Sequence, residues 1–370
     1  MKRRWMKNAV CLILLAIFLC GGCLAAGESI LREQAEGLPL DELENAAGEY
    51  GDGLDIAEGI SFEEGIRSLT DRGSAALEGV LKDAARSGVL ILAVVLLCGL
   101  AEGMGAATEG RTMAGASIVC AIAIAAIAAA DAKSLIGMGR SAIDSMDAFS
   151  KVLLPVMAAT SVASGSPAGG AAAHIATMLF SDVLITAISR FLLPMVYALI
   201  AASTACAALG NEGLKRIAEL LKWAVTTALT AILICFTGYL TISGAIAGTA
   251  DATTVKAAKF ALSSVVPVVG SILSDAAETV LAGAGILKSA VGVFGMLAVM
   301  GMCLLPFLHL AVHYLVYKAV AALAATVADS RAASLIDSIG GAFGLVLGMT
   351  ASCAVLLLIS MVSGISAVLR

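Results

Sequence analysis

The run Ser289–Ala328, SAVGVFGMLAVMGMCLLPFLHLAVHYLVYKAVAALAATVA, holds 40 residues and one formal charge, Lys318. A bilayer core about 30 Å thick needs about 20 apolar residues in a helical span. The run is therefore membrane material, and it is too long for one comfortable crossing. Pro306 lies near its middle. If this run and the other overlong run, 174–209, are hairpins, the count after the export signal is eight spans. If both are single tilted or partly interfacial helices it is six, an even number either way.

The neighbouring sequence extends the pattern. Val89–Ala107 and Thr112–Ala130 read as two spans split by Glu109-Gly110-Arg111. Asp131–Asp147 reads as a polar connection. Phe149–Ser164 is a short apolar run holding Pro155. His174–Leu209 is another overlong run, expected to break near Arg190–Pro194. Asn211–Lys222 is polar, Trp223–Gly248 is a span, and Asp251–Lys259 is polar again. Phe260–Leu273 is a second short run, holding Pro267. After Ser289–Ala328 come polar Asp329–Asp337 and a last span, Gly341–Val368. The fold class is all-α: a polytopic transmembrane helical bundle with about eight spans and two short Pro-containing re-entrant or interfacial segments.

Composition agrees. The residues AVILMFWYC make up 60% of the chain and charged residues 14%, and the mean hydropathy is +0.98. Soluble domains run nearer half apolar and a quarter charged. Abundant Ala and Gly suit close helix packing in lipid. No basic patch exists, which argues against nucleic acid as a partner.

Lys2, Arg3, Arg4 and Lys7 precede an apolar core, Ala9–Leu19, and small residues follow, so residues 1–27 read as an export signal. Cys20-Gly21-Gly22 before Cys23 is a poor lipobox. Residues 28–86 form an acidic extracytoplasmic segment: 15 of the 28 Asp and Glu lie between Glu28 and Asp83. Leu38, Leu40, Leu43, Ile56 and Ile60 suggest short amphipathic helices lying against the membrane domain or a partner. Residues 87–370 form that domain. Its cysteines, Cys98, Cys120, Cys206, Cys235, Cys303 and Cys353, lie in apolar runs and read as small hydrophobes rather than a disulfide or zinc frame.

The prolines suggest a duplication. Pro155 and Pro194 are 39 residues apart, as are Pro267 and Pro306, with an offset of 112 between the pairs. Leu192-Leu193-Pro194 matches Leu304-Leu305-Pro306. The units would be 149–250 and 261–368. Three spans in each would invert the second copy, a transporter-type signature. An eight-span count, however, leaves Lys215, Arg216 and Lys222 outside, against the positive-inside tendency.

No catalytic signature is present, and no cofactor motif. His309 and His313 share a helix face, but Leu310-Ala311-Val312 between them supplies no general base or third ligand, so no metal site is assigned. Ionisable groups at membrane depth are costly and face a partner or a water-filled cavity. Glu102, Asp182, Arg190, Lys288 and Lys318 belong to this class, with a structural ion pair or snorkelling at span ends as the plainer reading. The stretch around Pro267, Gly270, Asp275, Glu278 and Lys288 is the candidate hot spot, with Pro155, Asp182, Arg190 and Pro306 as further candidates.

Val266-Pro267-Val268-Val269-Gly270, Ser274-Asp275-Ala276, Glu278-Thr279-Val280 and Lys288-Ser289-Ala290-Val291-Gly292 resemble the core of the stage III sporulation protein AE family. The resemblance is most specific over 259–306. It implies a multi-pass protein of the mother-cell membrane facing the forespore. Its partners would be other stage III sporulation membrane proteins, in a transenvelope channel or feeding-tube complex that sustains forespore gene expression. It implies no catalytic residues and no cofactor. The alternative is a secondary transporter for a small molecule.

Overall fold

The computed structural model describes residues 40–48, 62–105, 113–163, 179–236, 238, 269–327 and 330–366. Among them all regular structure is helical. A short α1 (Leu40–Ala47) precedes six long helices: α2 (Phe62–Gly105), α3 (Met113–Ala163), α4 (Leu179–Leu209), α5 (Glu212–Phe236), α6 (Val269–Val327) and α7 (Ser330–Ser366). Among the described residues six helices are long and apolar enough to cross a membrane. The protein is a multi-pass membrane protein.

Side-chain neighbours fix the directions. Along α2, Gly73 faces Leu304, Gly88 faces Val316 and Gly99 faces Val327, so α2 and α6 run parallel. Gly139 of α3 faces Leu310 and Val346, and Gly295 faces Leu153 and Met361, so α3 and α7 run against α6. Phe180 of α4 meets Phe236 of α5 with ring centroids 5.4 Å apart, at the ends remote from their shared turn. Gly348 of α7 faces Leu229 of α5. The bundle is thus three hairpins, α2/α3, α4/α5 and α6/α7, with all three turns at one end. The α6–α7 pairing is the most extensive, and α2, α3 and α4 pack around it.

Small residues make this packing possible. The buried stripe of α2 runs Gly65, Gly73, Val80, Ala84, Gly88, Ile91, Val95, a spacing of three, four, seven or eight that keeps one helix face on α6. A Cβ on Gly88 would stand 2.7 Å from Val316, and one on Gly340 would stand 2.9 Å from the Cβ of Tyr317. Only glycine allows these approaches.

Several sequence expectations change. Ser289–Ala328 is no hairpin: α6 is 59 residues long and passes through Pro306 unbroken. At 1.5 Å per residue it spans about 88 Å, far more than the bilayer core. Pro306 is buried, where neighbouring helices can cover a freed backbone carbonyl. The run around Pro155 is no re-entrant element but the end of α3, which is 51 residues long. Asp131–Asp147 is the middle of that helix and no connection. Its Ala132, Leu135, Ile136, Ala142, Ile143 and Met146 are buried, while Lys133, Arg140 and Asp144 are exposed. Mean hydropathy averages these faces away, but helical periodicity keeps them apart. Within Asn211–Lys222 and Asp329–Asp337, read as polar loops, Glu212–Lys222 and Ser330–Asp337 are the starts of α5 and α7 for the same reason.

The expected break at Arg190–Pro194 is a π turn, Ile188–Leu192, in which Leu193 N–H bonds to Ile188 O. Leu193 begins the next α-helical stretch, with Pro194 in its first turn. One π turn absorbs the misfit of the proline without reversing the chain. The Pro-bearing helices α4 and α6 run in the same direction, so the inversion expected of the repeat is not what the fold contains. The boundary drawn between 86 and 87 falls inside α2. Residues 1–39 and Pro267 lie outside the described residues.

Candidate functional site

Three helices meet through one carboxylate. Asp131 lies on α3 directly after an alanine-rich run. The Tyr317 hydroxyl of α6 donates to its Oδ2 at 2.6 Å. Ser87 of α2 donates to its Oδ1 at 3.1 Å. Among the described residues no basic group lies within 4.0 Å of Asp131, so neutral hydroxyls alone hold it. Hydrogen bonds to a charged group contribute about 1.5–3 kcal/mol each in water-soluble proteins. Between membrane helices measured values are lower, at about 0.6 kcal/mol on average and about 1.7 at most.

Tyr317 is clamped for this task. It is fully buried. Phe343 of α7 meets its ring edge-on, at 5.0 Å and 83°. Gly340 of α7 lies beneath its Cβ. The rotamer that places the hydroxyl on Asp131 is therefore set by α7, a helix that does not touch the carboxylate through these contacts. All four helices of the central group are joined through the Tyr317–Asp131 pair.

The next residue, Lys318, pairs with Asp337 of α7 at 2.5 Å. Its ammonium also lies 5.9 Å from the Tyr314 ring centroid. The two side chains are 32% and 50% exposed, so solvent screens the pair and its contribution stays under about 1 kcal/mol.

One helical turn earlier, His313 Nδ1 donates to the His309 carbonyl oxygen at 2.8 Å, and the two rings stack with centroids 6.2 Å apart. Among the described residues no cluster of three or more His, Cys, Asp or Glu surrounds them. Of the cysteines, Cys120 and Cys353 are buried as expected of small hydrophobes, whereas Cys235 is exposed.

The other sequence candidates do not gather here. Asp182 and Arg190 are exposed on α4 and form no ion pair with each other. Pro155 is exposed near the end of α3, and Pro306 is buried in α6. Gly270, Asp275, Glu278 and Lys288 lie in the first half of α6, and Lys288 is about 44 Å along the helix from Tyr317. Glu102 is in the last turn of α2. Of the residues singled out from sequence, only Lys318 borders the polar node. Ser87, Asp131, Tyr317 and Asp337 were missed, because Asp131 and Asp337 lay in stretches read as loops. The available signal was a lone carboxylate flanked by helical periodicity on both sides.

The sequence profile described as Stage III sporulation protein AE matches residues 60–367. The protein named Stage III sporulation protein AE from Bacillus subtilis (strain 168) is 26% identical over 188 residues, covering 51% of this chain and 47% of that protein. The chain thus matches about half the length of this curated relative. No solved structure matches.

Proposed function

The chain belongs to the stage III sporulation protein AE family, and from that premise we propose that it is a non-enzymatic membrane component of a transenvelope channel or secretion complex. The complex would join mother cell and forespore and sustain forespore gene expression. The observation that carries the reading is the family match, which runs over the whole six-helix bundle.

The structure adds support from α2. Glu63, Arg67, Asp71, Arg72, Lys82 and Arg86 are all exposed along its first half, beside the apolar middle of α6. Charges in that position cannot face acyl chains and need water or a protein surface. A partner-facing flank meets that need. The expected partners are other stage III sporulation membrane proteins. The reading as a secondary transporter drew on an inverted repeat, and α4 and α6 run the same way.

Orientation follows from charge. With the start of α2 outside, the ends of α2, α4 and α6 are cytoplasmic, and Lys215, Arg216, Lys222 and Arg331 lie at that end. The six-helix topology thus removes the conflict with the positive-inside tendency that eight spans created.

The test is genetic. In an endospore-forming host carrying this gene, deletion should abolish a late forespore reporter after engulfment. A variant with Arg67, Arg72, Lys82 and Arg86 changed to Gln should insert normally, fail to restore the reporter and lose co-purification with stage III membrane proteins. A reporter indifferent to the deletion would refute the proposal.

A further inference from the structure

We propose that the turn end of the bundle holds a binding site for a zwitterion of the phosphoethanolamine class, a phosphate carrying an ammonium group. A cleft of about 480 Å³ opens between the last turns of α4, the first turns of α5 and the start of α7. That volume lies within the roughly 300–1,000 Å³ of small-molecule sites.

Its floor contains an unsatisfied group. Ser203 of α4 is 6% exposed and lines the cleft, and its Oγ has no hydrogen-bond partner. A buried hydroxyl left unpaired costs about 1–3 kcal/mol. A polar ligand in the cleft would remove that cost.

The walls carry separated charges of both signs. Glu212, Lys215, Glu219 and Lys222 of α5 all line the cleft. Their spacing of three, four and three residues keeps them on one helix face. Among the described residues none of them has an ion-pair partner within 4.0 Å. Lys222 crosses to α7, where its Nζ lies 3.8 Å from the position of a Cβ on Gly341. Opposite, Arg331 of α7 covers Gly210, the left-handed cap of α4 with φ +67°. Asp337, also in the lining, is already taken by Lys318. The two lysines and the start of α7, whose first N–H groups favour anions, suit a phosphate. Glu212 and Glu219 suit an ammonium and disfavour a purely anionic ligand. Leu199 and Leu335 add apolar lining.

This chemistry comes either from the headgroup of phosphatidylethanolamine or from a free aminoalkyl phosphate. The full-length protein in detergent micelles would be titrated with soluble phosphoethanolamine by calorimetry. In parallel, nanodiscs with equal parts phosphatidylethanolamine and phosphatidylglycerol would be analysed by native mass spectrometry for retained lipid. The expected result is retention of phosphatidylethanolamine at least fivefold over phosphatidylglycerol, with or without binding of the soluble headgroup. The soluble arm decides whether the acyl chains are needed. The exposed double variants Lys215→Gln with Lys222→Gln, and Glu212→Gln with Glu219→Gln, should each weaken binding about tenfold. Ser203→Ala should weaken it several-fold, and Lys133→Gln, exposed on α3 and outside the cleft lining, should leave it unchanged. Binding of neither probe, equal retention of both lipids, or double variants that bind like the unaltered protein would overturn the proposal.

Discussion

Tyr317 shows how a single side chain ties the bundle together. Its ring is fixed by Gly340 and Phe343, and its hydroxyl reaches Asp131 at 2.6 Å. Tyr317→Phe keeps the ring packing but leaves one carboxylate oxygen without its donor. The expected loss is about 0.5–1.7 kcal/mol in reversible denaturation in mixed micelles, the range for such bonds between membrane helices. Asp131→Asn keeps an acceptor for Tyr317 and should lose less. A Tyr317→Phe protein as stable as the original would show that the bond contributes nothing. For Lys318 and Asp337, a double-mutant cycle with Lys318→Met and Asp337→Ala should return a coupling under about 1 kcal/mol, because the two side chains are 32% and 50% exposed. Lys318 was legible as a costly charge in an apolar run. Tyr317 was not, because an aromatic in such a run reads as core until the carboxylate opposite it is located.

At the scale of elements, glycine sets how closely helices pack. Gly340 faces the Cβ of Tyr317 at 2.9 Å from where its own Cβ would be, whereas nothing lies within 4 Å of the same position on Gly79. Gly340→Leu should therefore separate α6 from α7 and cost at least about 1–3 kcal/mol. Gly79→Ala, at an exposed position within α2, should stabilise by about 0.5–1 kcal/mol through helix propensity. Thermal unfolding of both variants in one detergent checks the pair, and similar shifts for the two would contradict the packing described. The helical class was legible in the long apolar runs, and the irregularity of α4 was legible in Arg190–Pro194, where the π turn lies. The length of α3 was not. Its middle is half polar, so a hydropathy average reports a loop where a 3.6-residue period reports a helix. Pro155 and Pro306 misled in the same direction, since proline ends helices in water but is tolerated where a bundle satisfies the freed carbonyl.

For the whole molecule the consequence is parity. Six helices arranged as three hairpins of the same sense place the α2/α3, α4/α5 and α6/α7 turns on one side, and the start of α2 and the end of α7 on the other. The sequence already required an even number of spans if the two overlong runs behaved alike, and both are unbroken helices. A charged first half of α2 lying along apolar α6 gives the bundle one flank suited to water or protein and others suited to lipid. The most direct measurement is labelling with a membrane-impermeant maleimide of single cysteines in an otherwise cysteine-free protein. The positions are Ser61, Gly110, Asn211, Asp329 and Arg370. The account predicts that Gly110, Asn211 and Asp329 label together from the cytoplasmic side, and Ser61 and Arg370 together from the other. Labelling of Asn211 from the side opposite to Gly110 and Asp329 would contradict it.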